Sequence, residues 1–146
     1  MKKQMFAILL LMPIILMSQT NIPVTKAFLQ SFADAFNAHD IEAIMAHMTA
    51  DCVFEASGGP EVFGERFTGQ EQVRKAFEDV FATYPDAHWA NPQHVISGDR
   101  GFTEWTFTGT KKDGTKTEIT GCDLFTFREG KIATKNSFRK NRLGPK

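Results

Sequence analysis

The sequence holds only two cysteines, Cys52 and Cys122, a single tyrosine, and no excess charge of either sign, with 17 Lys and Arg against 17 Asp and Glu. Two cysteines are too few for a disulfide scaffold, and alone they do not make a zinc site. Balanced charge removes the basic footprint of a nucleic-acid binder, so no nucleic-acid partner is expected. The four histidines fall at no HxxxH or HxH spacing: His39 and His47 belong to different helical segments, and His88 and His94 flank Asn91-Pro92. No metal and no cofactor is therefore expected. Glycine-rich phosphate loops are missing, Gly58-Gly59-Pro60 being a turn signal, and no Ser or Cys lies in a recognisable triad motif. What the chain does have is apolar weight, 42% overall with 14 Phe, in a length that suits one domain with a buried core.

One long hydrophobic run is present, at the start. Lys2 and Lys3 precede the 13 apolar residues Met5 to Met17, interrupted only by Pro13. That is short of the roughly 20 residues that span a bilayer, and it fits a secretory signal segment. Cleavage after Ser18 leaves Gln19 as the new N-terminus. An uncleaved N-terminal anchor is the rival reading. Residues 1–18 are thus set apart as a signal peptide, and residues 19–146 as a single domain. Removing Lys2 and Lys3 from the 17 basic residues leaves 15 against 17 acidic ones, a mildly acidic domain. Export to the periplasm or medium follows, with no stable membrane association after cleavage. In an oxidising compartment Cys52 and Cys122 could pair, although spacing does not show that they meet.

The helix signals come first along the mature chain. Phe28, Phe32 and Phe36 recur every four residues and predict a helix over 24–38. Asp40 caps a second, in which Ile41, Ile44, Met45 and Met48 repeat at helical spacing. Residues 52–56 read as a strand and 57–69 as a loop. A third helix covers 70–84, ended by Pro85. Four strands follow at 89–97, 102–110, 115–127 and 132–138, separated by Gly98-Asp99, Lys112-Asp113-Gly114 and Glu129-Gly130. Helices followed by strands predict an α+β fold in which a curved antiparallel sheet wraps over three helices and buries their Phe-rich faces. The Glu129-Gly130 turn allows two registers. A type I turn with a Gly130 bulge pairs Phe127 with Lys131 and sets Asp123 opposite Lys135. A two-residue loop puts Asp123 opposite Asn136, at the cost of φ > 0 for Glu129. The first is preferred.

The segment FLQSFADAFNAHDIEAIMAHMTADCVFEA, with its helix–Asn37-x-x-Asp40–helix opening, and the C-terminal GCDLFTFREGKIATKNSF, with Asp123-x-Phe125-x-Phe127-x-x-Gly130-Lys131-Ile132, resemble one family. It is the SnoaL-like, ketosteroid-isomerase-like group of the nuclear transport factor two superfamily, and the resemblance spans residues 24–140. It implies a cone, with three N-terminal helices packed on a strongly curved antiparallel sheet around an apolar pocket, and a homodimer. Steroid isomerases of this fold carry an oxyanion tyrosine where this chain has Phe32, and a carboxylate base where it has Ala56. Their second acid matches Asp123. In SnoaL-type polyketide cyclases an acid on that late strand acts as the base, which favours them as the better likeness.

Asp123 is the candidate catalytic residue. A carboxyl facing inward among Phe125 and Phe127 is disfavoured in its charged form and suits general acid–base work; Lys135 opposite would favour the carboxylate instead. Phe32, Phe54, Trp105, Phe107, Phe125 and Lys135 are the candidate pocket residues, the aromatics being equally readable as core. Glu55 and Glu104 alternate to the other face. The expected function is binding of a small apolar or aromatic molecule, with carbonyl-adjacent proton transfer of the isomerase or cyclase type through Asp123. The alternatives are a non-catalytic binding module and a dimerisation module. The basic tail of Arg139, Lys140, Arg142 and Lys146 reads as a solvated end.

Overall fold

The structure, a computed structural model, describes residues 23–142. The stretch 1–18 expected to be a signal peptide, and Lys146, lie outside the described residues. Thr25 opens helix α1 (Lys26–Asn37) by accepting a hydrogen bond from the Phe28 backbone N–H at 3.2 Å. Leu29, Phe32, Ala33 and Phe36 form its buried stripe. The chain reverses through His39 in the left-handed region (φ 53°), and Asp40 caps α2 (Ile41–Ala46) through the Ala43 N–H. His47 then ties the two helices together, its Nε2 2.8 Å from Ser31 Oγ and its Nδ1 2.7 Å from the Ala43 carbonyl.

Six strands make one unclosed, curved sheet. They are β1 (Met48–Glu55), β2 (Arg66–Thr68), β3 (His88–Ser97), β4 (Arg100–Thr110), β5 (Lys116–Arg128) and β6 (Lys131–Arg139), in the order β2-β1-β6-β5-β4-β3. Helix α3 (Gly69–Thr83) packs over β1, and α1 over β3. The fold is α+β as expected, with three departures. Strand β1 begins at Met48, which helical spacing places in the second helix, four residues ahead of the expected start at Cys52. Strand β2 arises inside the stretch expected to be a loop, where the Glu55–Arg66 ion pair sits on its antiparallel register with β1. And the sheet is not wholly antiparallel, because β1 runs parallel to β6. Strand β3 bends at a bulge between Ala90 and Gln93, where Asn91 is left-handed and Pro92 follows. An edge position tolerates that proline.

The β5–β6 turn is the two-residue loop that stood second among the expected registers, but at Asp123 the pairing follows neither. Glu129 (φ 54°) and Gly130 (φ 73°) form a two-residue loop and Arg128 pairs with Lys131. A bulge on β6 after Ile132 then adds one residue, so Asp123 faces Ser137 and Phe125 faces Lys135. The strain at Glu129 is offset by a turn whose twist matches the strands. The cysteines do not pair. Cys52 is next to Val53, which aligns with Thr134, whereas Cys122 aligns with Phe138 one strand further on. Four residues of strand separate them, about 13 Å, beyond the reach of a disulfide.

The inner face of the sheet is aromatic. Phe36 sits at its centre, with ring centroids 5.0 Å from both Phe32 and Phe77 and 5.2 Å from Trp89. Gly121 leaves the gap that Trp105 fills: a Cβ there would come 2.4 Å from the indole Cη2 and 2.3 Å from the Phe138 carbonyl oxygen. Gly121→Ala should therefore destabilise the domain by about 1–3 kcal/mol and shift the Trp105 fluorescence, measured together in a urea titration.

Candidate functional site

Strand alternation turns Thr103, Trp105 and Phe107 of β4, Asp123, Phe125 and Phe127 of β5, and Lys135 and Ser137 of β6 to the buried side. Glu104 is exposed on the other face. On β1, Phe54 faces the same interior, while Glu55 turns away and binds Arg66, with Nε at 3.0 Å and Nη2 also in contact.

Asp123 is not the solitary acid among aromatics that the sequence suggests. Its Oδ2 accepts from Trp105 Nε1 at 2.9 Å. Its Oδ1 accepts from Lys135 Nζ at 2.6 Å and from Ser137 Oγ at 2.5 Å. Lys135 also donates to Ser137 Oγ at 2.7 Å. The carboxylate and the ammonium are each 8% exposed, a buried ion pair. Lys135 reaches Asp123 diagonally from two residues before the opposed position, so the pairing anticipated across the hairpin forms by a different register.

Two cavities adjoin this cluster. The smaller, about 30 Å³, is room for a water or two beside Asp123, Thr103, Trp105, Phe32, Phe125 and Lys135. The larger, about 480 Å³, is bounded by Phe54, Phe67, Phe77, Trp89, Trp105 and Phe107, with Lys135 and Ser137 also in its wall. Lys135, Phe36, Trp89 and Trp105 border both. The sequence-predicted residues thus divide: Asp123, Phe32 and Phe125 line the small cavity, Phe54 and Phe107 the large one, and Trp105 and Lys135 both. Ala56 reaches the larger wall too, as do Ser57 and Glu65 from the segment between β1 and β2.

Sequence reasoning missed Ser137, Phe36 and Trp89. Ser137 is two residues past Lys135 and so shares its face, but only the true register sets it beside Asp123. His94 was dismissed as a ligand. Its Nδ1 lies 2.8 Å from the Thr103 hydroxyl and its Nε2 3.2 Å from Gln30 Oε1, and burial holds its pKa below the ordinary range. Burial likewise pushes both cysteine thiols up, away from nucleophilic thiolates.

Comparison with known proteins agrees with this architecture. The sequence matches the SnoaL-like domain over residues 29–135. The chain belongs to that family. SnoaL-like architecture is also seen in solved structures. A candidate polyketide cyclase from Xanthomonas campestris pv. campestris superposes with a TM-score of 0.68 at 19% identity, over 77% of this chain and 87% of that one. A hypothetical protein of ketosteroid isomerase-like fold from Catenulispora acidiphila DSM 44928, solved with trimethylamine, gives 0.69 at 19% identity, over 79% and 86%. A protein of unknown function with a cystatin-like fold from Xanthomonas campestris gives 0.71 at 18% identity, over 82% and 92%. No curated protein matches the sequence. At these identities the structures establish the fold.

Removing one member of the buried pair leaves the other charge uncompensated. Lys135→Met should cost about 3–5 kcal/mol in urea unfolding, and the double variant Asp123→Asn/Lys135→Met should recover a large part of that loss.

Proposed function

We propose that this SnoaL-like domain holds a small apolar or aromatic molecule in the larger chamber. The observation that carries the reading is the chamber itself: about 480 Å³ bounded by aromatic rings, with Lys135 and Ser137 among the polar groups of its wall. That size and lining are those of small-molecule sites, typically about 300–1,000 Å³. Phe54, Trp105 and Phe107 offer flat faces for stacking, and Phe32 and Phe125 back them from the smaller cavity.

A catalytic form of the proposal adds Asp123 as the acid–base group for carbonyl-adjacent proton transfer. It is supported by a buried carboxylate that borders one cavity and is linked to the other by Lys135 and Ser137. Phe32 and Ala56 stand where steroid isomerases have polar groups, which directs the reading toward cyclase-type chemistry. Against a panel of cyclic ketones and lactones, turnover of at least one member is expected, and Asp123→Asn should lower that rate about 10²–10⁴-fold. If wild type turns over none of them while native mass spectrometry of protein from its own host shows a retained ligand, the domain is a binding module without this chemistry.

The remaining parts of the proposal are export after cleavage at Ser18 and a homodimer. The dimer is supported by apolar rows on the outer sheet face: Val95, Phe102 and Leu124 align across three strands, and Cys122 pairs with Phe138. Val95, Leu124 and Phe138 are 45–49% exposed. Equilibrium sedimentation should give a dimer at micromolar concentration, and Phe138→Glu should give a monomer.

A further inference from the structure

The donors around Asp123 can be counted. Ser137 has one hydroxyl hydrogen, and Asp123 Oδ1 accepts it. Its lone pair takes one Lys135 proton, and Asp123 takes a second. An ammonium has three. No acceptor among the described residues takes the third. Around Nζ lie the faces of Phe54, 5.0 Å to the centroid, and Phe36, 5.7 Å. These rings give the cation partial compensation but no lone pair. The Lys135 side chain is 8% exposed, so the water that can reach this position is the little that the two adjoining cavities admit. It is also in the wall of the larger chamber.

From this we infer that the molecule held in the larger chamber is an amphipathic organic anion, a planar carboxylate or an enolate or phenolate, whose charged oxygen accepts the third Lys135 proton. The inference rests on the chamber being the ligand site. A neutral hydrocarbon would displace the chamber's water from Lys135 and offer that N–H no acceptor in return, leaving it at most a water of the smaller cavity. An anionic oxygen there completes a carboxylate–ammonium–anion row, in which each hydrogen bond is charge-assisted. Ser137 is not a donor to the ligand, since its hydrogen is committed to Asp123.

The approach to the chamber has a matching sign. An open groove shares Ser57, Tyr84, Ile119 and Arg139 with it and adds Lys116, Lys140 and Arg142. Glu118 is the groove's acid, and Arg142 lies 3.7 Å from it. Lys116, Arg139 and Lys140 form no ion pair among the described residues. The chamber wall also carries Glu65 and Asp79, the latter paired with Lys75. The groove is therefore positive overall and draws anions toward the chamber.

Calorimetric titration with 2-naphthoate and its neutral isostere 2-naphthamide tests the assignment on the full domain. Naphthoate is expected to bind at least about tenfold more tightly, the effect of one charge-assisted hydrogen bond in a dry site. In Asp123→Asn/Lys135→Met, which removes both charges together, the two probes should bind equally. Ser137→Ala should keep the preference for naphthoate. Equal binding of both probes to wild type would overturn the anion assignment and leave the chamber as the ligand site. Binding of neither would overturn the chamber reading itself, and the anion assignment with it. A preference that survives loss of Lys135 would move the anion to the groove and overturn the role given to this lysine.

Discussion

The buried Asp123–Lys135 ion pair is the constraint around which the rest of the interior is arranged. Two charges withdrawn from water are costly unless their remaining hydrogen-bonding capacity is met. Here Trp105 and Ser137 satisfy the carboxylate, and each must be held in place to do so. Trp105 is held by the missing side chain at Gly121, and Ser137 by a one-residue bulge in β6. A ring of aromatics then closes over the pair. A core made only of Phe and Leu could be as stable; what the pair adds is a fixed orientation for four side chains on three adjacent strands. That is a reason to read it as part of a site.

The two cavities follow from the same arrangement. Lys135, Phe36, Trp89 and Trp105 form a partition between a water-sized space beside the acid and a ligand-sized space beyond it. The partition separates the buried carboxylate from the larger space, and Lys135 and Ser137 are the polar links between them. Phe32 and Ala56 add apolar surface to the two cavities, and the buried polar cluster beside them is that of Asp123, Lys135 and Ser137.

Much of the fold was legible because its signals are local. The Phe28–Phe32–Phe36 stripe, the Asp40 cap and the alternation of Thr103, Trp105 and Phe107 each depend on a few neighbouring residues. The β5–β6 register was not, since it combines a strained loop residue, Glu129, with a bulge three residues later. Each shifts the pairing; the loop was one of two readings of Glu129-Gly130, whereas the bulge has no composition signature strong enough to read. The parallel β1–β6 pair and the short strand β2 were missed because they depend on partners far along the chain. Asp123 could be picked out as buried, yet its partners could not. A carboxylate's chemistry is set by what crosses from adjacent strands, and an error of one residue exchanges Ser137 for Asn136.

The parallel pairing of β1 with β6 has a bearing on how the chain assembles. Joining Phe54 to Lys135 closes a loop containing α3 and three long strands, whereas the hairpins of β3, β4, β5 and β6 need only short turns. Contacts of such high sequence separation lose chain entropy before they gain any compensating burial, and they slow folding. The C-terminal hairpins can therefore form early and on their own. The larger chamber, which needs β1 on one side and β4 on the other, depends on that long-range pairing as well as on the hairpins.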